Sequence, residues 1–192
     1  MAATNACNFA ELDQEIRQNS RNTNAYATRA ACYLMPSPGL RGPSLRNIVA
    51  SVADSEAALK LDPQNFYARH NCAQAAYLMG FDQFAVGEFT KAIALNPRSA
   101  RSYLGRGWAY SNLCQMNNMA SDFTQAVRLD PSLAREVASP QQIAQHRIEC
   151  SRPPPPPQAP HNCPHASIFA FSLNARFLLE NEWKARHPGC PL

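Results

Sequence analysis

Apolar residues recur along this chain at three- and four-residue steps, the spacing that turns one face of a helix toward a core. Phe9, Leu12 and Ile16 keep it in the first stretch, and Tyr26, Ala30 and Tyr33 in the second. Ile48, Val52, Ala58 and Leu61 keep it in the third, and Ala85, Phe89, Ala92 and Leu95 in a later one. Breakers divide these stretches. Residues 36–43 hold three prolines and two glycines and read as a loop. Gly80 can supply the left-handed residue that ends a helix, and Asn96-Pro97 and Asp130-Pro131 stop two more. The pattern predicts helices over about 8–18, 24–35, 44–61, 66–79, 83–95, 100–113 and 118–129. Ser139 as N-cap, Pro140 at the first helical position and Gln142 three residues after the cap start another, running to about Glu149.

The stops are periodic. Pro63, Pro97 and Pro131 lie 34 residues apart, closing Ala-Leu-Lys-Leu-Asp-Pro, Ala-Ile-Ala-Leu-Asn-Pro and Ala-Val-Arg-Leu-Asp-Pro. A fixed period of this size marks a repeat architecture. The first unit carries about nine extra residues in the 36–43 loop. The 1–22 stretch echoes a second half-unit, since Gln18-Asn19-Ser20 stands where later units have Leu-Asn-Pro.

These residues resemble the tetratricopeptide repeat (TPR). Unit three reads Tyr103, Gly107, Tyr110, Phe123, Ala126 and Pro131, with Met119 where a small residue is usual. Unit two reads Arg69, Ala73, Ala76, Ala85, Phe89, Ala92 and Pro97, departing at Arg69 and Ala76; unit one reads Tyr26, Ala30, Tyr33, Ser51, Ser55, Ala58 and Pro63, with a weakened second helix. The resemblance implies an all-α fold, an α-solenoid of antiparallel helix pairs in a right-handed superhelical array. It sets the units at 23–63, 64–97 and 98–131, with an N-terminal helix or decayed repeat at 1–22 and a capping helix within 132–150. A Pro-rich linker (151–165) and an apolar, aromatic tail (166–192) follow, the tail a short helix or partly disordered.

It also implies a function, the holding of a peptide or protein segment in the groove lined by the first helix of each unit. The groove positions of unit two are Tyr67, His70, Asn71, Gln74 and Tyr77; those of unit three are Arg101, Leu104, Trp108 and Asn112. Amides suit a peptide backbone, Tyr67 and Trp108 give rigid contact area, and Arg101 suits a carboxylate. Unit one contributes Asn24, Ala27, Ala31 and Leu34, a bland wall, while Arg29 and Arg106 face neighbouring helices. Some relatives clamp the carboxylate tail of heat-shock chaperones with Lys, Asn, Asn, Lys and Arg. This chain has Ala27, Ala31, Asn71, Arg101 and Gly105 at those positions, so a co-chaperone adaptor is disfavoured.

Composition adds exclusions. The net charge of +4 is spread without a basic stripe, which argues against nucleic acid. No apolar run approaches the roughly 20 residues of a membrane span, and no secretory signal is visible, so a cytoplasmic protein is expected. The seven cysteines are odd in number and lack close pairs, which reads as reduced thiols. No phosphate loop, nucleophile elbow or paired helical carboxylates point to an enzyme, and no cofactor is expected. His161, Cys163 and His165, with Cys150 or Cys190, form the one metal-like cluster. A small metal or redox protein is thus an alternative of another class, though the spacing matches no standard zinc pattern.

Overall fold

The computed structural model describes residues 7–36, 42–137 and 139–151. The chain divides into two compact units, Met1–Val137 and Ala138–Leu192. The first holds α1 (Phe9–Gln18), α2 (Thr23–Tyr33), α3 (Leu45–Leu61), α4 (Phe66–Leu78), α5 (Asp82–Leu95), α6 (Ala100–Asn112) and α7 (Met116–Leu129). A 3-10 helix, Pro131–Arg135, follows α7 and packs on it. In the second, α8 (Pro140–Ser151) is described by itself. It opens on a capping box, in which Gln142 N–H donates to Ser139 Oγ (3.2 Å) and Ser139 N–H to Gln142 Oε1 (2.7 Å). The linker and tail fall outside the described residues. Among those described every regular element is helical.

Helices pack in consecutive pairs: α2 on α3, α4 on α5, α6 on α7. Each pair also meets the next, α3 against α4 and α5 against α6, and the leading helices touch in series, α2 with α4 and α4 with α6. This is an α-solenoid, in which no pair buries its own apolar face and stacking makes the core.

One link joins pair to pair. The second helix ends on an Asx residue in extended conformation: Asp62 (φ −141°), Asn96 (φ −139°) and Asp130 (φ −142°). Its side chain accepts from the N–H two residues on, at Gln64, Arg98 and Ser132, at 3.0–3.1 Å. Its backbone carbonyl accepts from the residue after that, Asn65, Ser99 or Leu133. Asn65 and Ser99 then cap the following helix through their side chains. The proline of the Asp/Asn-Pro step sits inside this turn, where its missing N–H costs nothing. α1 ends on the same link without a proline. Asn19 (φ −141°) accepts from Arg21 N–H, and Asn22 caps α2.

Inside a pair the turn is tighter. Gly80 adopts φ 77° and donates its N–H to Tyr77, while Phe81 N–H reaches back to Ala76, a Schellman arrangement. Cys114, 34 residues on, takes φ 57° and makes the same bonds to Ser111 and, through Gln115, to Tyr110.

Glycine notches set the close approach of the regular pairs. A Cβ on Gly105 would sit 2.8–2.9 Å from two Phe89 ring carbons, and one on Gly107 would sit 2.6 Å from the Phe123 ring. Phe89 therefore wedges between its own pair and the next, and Phe123 closes against α6.

The structure corrects three expectations. Leu61 and Leu95 do not face in; they are 41% and 38% exposed, and Leu59 and Ile93 are buried instead. α7 begins at Met116, ahead of the expected Asn118, because the helix starts directly after Cys114. The thiols are not uniformly reduced. Packing of α1 on α2 brings Cys7 beside Cys32, and the two form a disulfide.

Candidate functional site

The expected groove positions fall on the serial face of α2, α4 and α6, but in three different states. Tyr67 (65% exposed), Arg101 and Asn112 face outward. His70, Gln74, Tyr77 and Trp108 are half-buried, and Asn71 and Leu104 are buried.

Most of them are already engaged. Asn71 donates its side-chain N–H to the Ala27 carbonyl at 2.8 Å, tying α4 to α2. The His70 ring lies edge-on to Phe89, with centroids 5.6 Å apart, and its Nδ1 is 2.9 Å from Ser102 Oγ. Burial, aided by the Arg101 charge, lowers the His70 pKa to about 4. At neutral pH this side chain is an uncharged link between α4 and α6. Tyr77 packs on the Ala73, Ala76, Ala85, Phe89 and Ala109 cluster, and burial, then Asp82, pushes its hydroxyl pKa up. Trp108 stacks edge-on against Phe123, 5.0 Å between centroids. Asn112 donates to Asp82 Oδ1 at 2.9 Å. Arg101 pairs with Glu136 at 2.8 Å, both side chains exposed, an arrangement that contributes roughly 0–1 kcal/mol.

One part of the face is open and concave. Tyr67 and Asn71 join Asn24, Ala27, Thr28 and Ala31 around a cleft of about 230 Å³ between α2 and α4. Its lining is amide, hydroxyl, phenol and methyl, with no Asp, Glu, Lys, Arg or His among the lining residues. The α2 residues that read as a bland wall are thus half of this cleft. Trp108, Leu104 and Arg101 are not among its lining residues.

A second set of residues, missed as a set in the sequence, ties the two helices of each pair together. Asp54, Glu88 and Asp122 recur at 34-residue intervals on α3, α5 and α7, all buried. Each takes an arginine from the leading helix of its own pair. Arg106 grips Asp122 through Nε and Nη2 at 2.7 and 2.8 Å, and Arg29 grips Asp54 the same way at 2.7 Å. The remaining Nη1 reaches back to the preceding second helix, to Thr90 from Arg106 (2.9 Å) and to Asp13 from Arg29 (2.6 Å). The carboxylates raise both guanidinium pKa values. Arg29 lies over Tyr26, and Arg106 over Tyr103 and Tyr110. In the middle pair Cys72 holds the arginine position and Arg69 the tyrosine position. From there Arg69 reaches the longer Glu88 at 2.8 Å, and Lys91 meets the other carboxylate oxygen at 2.6 Å. The interval among the carboxylates was the signal that could have found this set.

A wider depression of about 800 Å³ lies over α6 and α7, lined by Tyr103, Arg106, Asp122 and Arg128 among others. Its Arg106 is spent on Asp122, while Arg128, Gln125 and Ser121 add a cation, an amide and a hydroxyl on a broad, open surface. His161, Cys163, His165 and Cys190 fall outside the described residues.

Stacked helix pairs, Asx links and glycine notches define a protein of the helical-repeat class. Among solved structures, the fold is similar to that of the MamA RS-1 ArsTM double mutant, a TPR-like protein. The match covers 72% of this chain and 79% of that one at 19% identity, with a TM-score of 0.51, a likeness of fold. No family model matches the chain, and no curated protein sequence does. No described helix is long and apolar enough to cross a membrane.

Proposed function

We propose that this chain is a protein-interaction module that holds a peptide segment of a partner on the α2–α4–α6 face, centred on the cleft beneath Tyr67. The single observation that carries this reading is that cleft, a built hollow with an exposed aromatic beside amide groups. Tyr67 supplies contact area at low conformational cost, and Asn24 and Thr28 can bond a peptide backbone. With no charged lining, the cleft suits an uncharged stretch and predicts weak salt dependence. The alternative of a chaperone-tail clamp loses support. Ala27 and Ala31 bring no cation, Gly105 faces the Phe89 ring, and Arg101 already holds Glu136. No catalysis or cofactor enters this reading. The Cys7–Cys32 disulfide fits an oxidising surrounding better than the reducing cytoplasm expected from the sequence.

The test is a peptide selected by display on the full chain and measured by calorimetry against Tyr67→Ala. The expected result is an affinity loss of about tenfold or more, near 1.4 kcal/mol, with an unchanged melting temperature. Equal affinity would place the ligand elsewhere.

A further inference from the structure

The structure assigns a second docking surface, beside the first along α2 and sharing Asn24 and Thr28 with it. We propose that the cleft between α1 and α2 seats an amphipathic helix of a partner protein carrying an arginine or lysine toward Glu11.

α1 has the register of a second helix whose leading helix is not among the described elements. Asn19 forms the same Asx link as Asp62, Asn96 and Asp130. Asp13 receives the Arg29 Nη1 as Thr90 receives that of Arg106, and Leu12 is buried at the register position of Phe89. In the pairs that are complete, a leading helix lies against the second helix and gives it an arginine. Glu11 precedes Asp54 by the interval that separates Asn19 from Asp62, so it stands in register with Asp54, Glu88 and Asp122. Those three carboxylates are buried and paired with Arg29, Arg69 and Arg106. Glu11 is exposed, and its hydrogen bonds are those of the N-cap, with Asn8.

A cleft of about 240 Å³ opens between α1 and α2, lined by Glu11, Leu12 and Glu15 on one side and Asn24, Ala25 and Thr28 on the other. The acidic edge, with Leu12 and Ala25 as its apolar part, fits one occupant: a helix that lies along the cleft, sets small residues against Leu12 and turns a cation to Glu11. The internal template is α4. It carries Arg69, which meets a glutamate rather than an aspartate, and Ala73 and Ala76 on its packing face. Charge complementarity thus selects a basic amphipathic helix.

The probe is a synthetic peptide of residues 65–79 with Cys72 replaced by alanine, titrated into the full chain by calorimetry. The expected dissociation constant is on the order of 100 µM or tighter. Glu11→Gln, which keeps the N-cap bonds and removes the charge, weakens it several-fold, and Glu11→Arg weakens it by about tenfold or more. An Arg69→Glu peptide fails on the natural chain and regains binding on Glu11→Arg. Absence of heat at millimolar peptide, or affinity indifferent to both Glu11 variants, overturns the proposal. Binding that is lost with Tyr67→Ala in the full chain and kept with Glu11→Arg would place the peptide in the α2–α4 cleft and also overturn it. So does concentration-dependent self-association abolished by Glu11→Arg, which would make a second copy the occupant.

Discussion

The regular pairs α4–α7 and the N-terminal stretch α1–α3 share one register but are filled by different means. In α4–α7 large rings enter glycine notches: Phe89 at Gly105 and Phe123 at Gly107. In α3 the residues in register with Ala85 and Phe89 are Ser51 and Ser55, both fully buried, their hydroxyls without a hydrogen bond among the described residues. The residue in register with Gly105 is Asn71, whose amide spans to Ala27. A small residue on α3 is thus matched by a larger polar one in register on α4. Where ring burial is lost, covalent and ionic ties stand in: the Cys7–Cys32 disulfide, and Arg29 held by both Asp54 and Asp13. The repeat therefore conserves the register of its links more strictly than the chemistry of its core.

The largest test of this contrast is volume. Phe89→Ala should cost about 3–5 kcal/mol of stability, since a buried ring leaves a cavity between two pairs. Ser55→Ala, at the same register position, should be neutral or stabilise by about 1 kcal/mol, as a buried hydroxyl without a partner is removed. Denaturant melts of the two variants check it. Similar losses at both sites would break the comparison.

Next come the ion pairs. Arg106→Met should cost about 3–5 kcal/mol because Asp122 is left buried without its partner. Arg29→Met should cost a comparable amount through Asp54 and in addition loosen α1 through Asp13. Hydrogen exchange separates them: only Arg29→Met should raise exchange throughout α1.

The disulfide ranks third. Cys7 and Cys32 are 25 residues apart, and losing a link of that span costs roughly 2–4 kcal/mol. Cys7→Ser should lower protection in α1 while α4–α7 keep theirs.

An acid-dependent effect comes last, since it is absent at neutral pH. His70 titrates near 4 in the folded chain against an ordinary value of 6.5. The unfolded chain therefore binds the proton first as pH falls. Stability contributed by neutral His70 is complete above about pH 6.5 and is lost between there and pH 4. The limit is about 3 kcal/mol. His70→Gln should flatten that part of the stability–pH curve, as followed by melts from pH 7 to pH 4.

The helices, their order and their stops were legible because helix periodicity and the Asp/Asn-Pro link are local signals. The inward side of Leu61 and Leu95 was not, because each ends a helix where the chain turns toward solvent. The cleft was half legible. Tyr67 and Asn71 stood out by residue type, whereas Asn24, Ala27 and Ala31 looked featureless until α4 lay beside them. His70 and Trp108 have the chemistry of a binding face, but tertiary packing directs them to Phe89 and Phe123. Cys7 and Cys32 looked unrelated because only the packing of α1 on α2 brings them together.

The central claim, that the cleft between α2 and α4 receives a partner segment, meets its most direct test in site-specific crosslinking. A photoreactive residue at position 67 of the full chain, mixed with the display-selected peptide, should yield a crosslink mapped to that peptide. The same probe at position 128, over the wider depression, should yield none. Crosslinking at 128 without crosslinking at 67 would contradict the account.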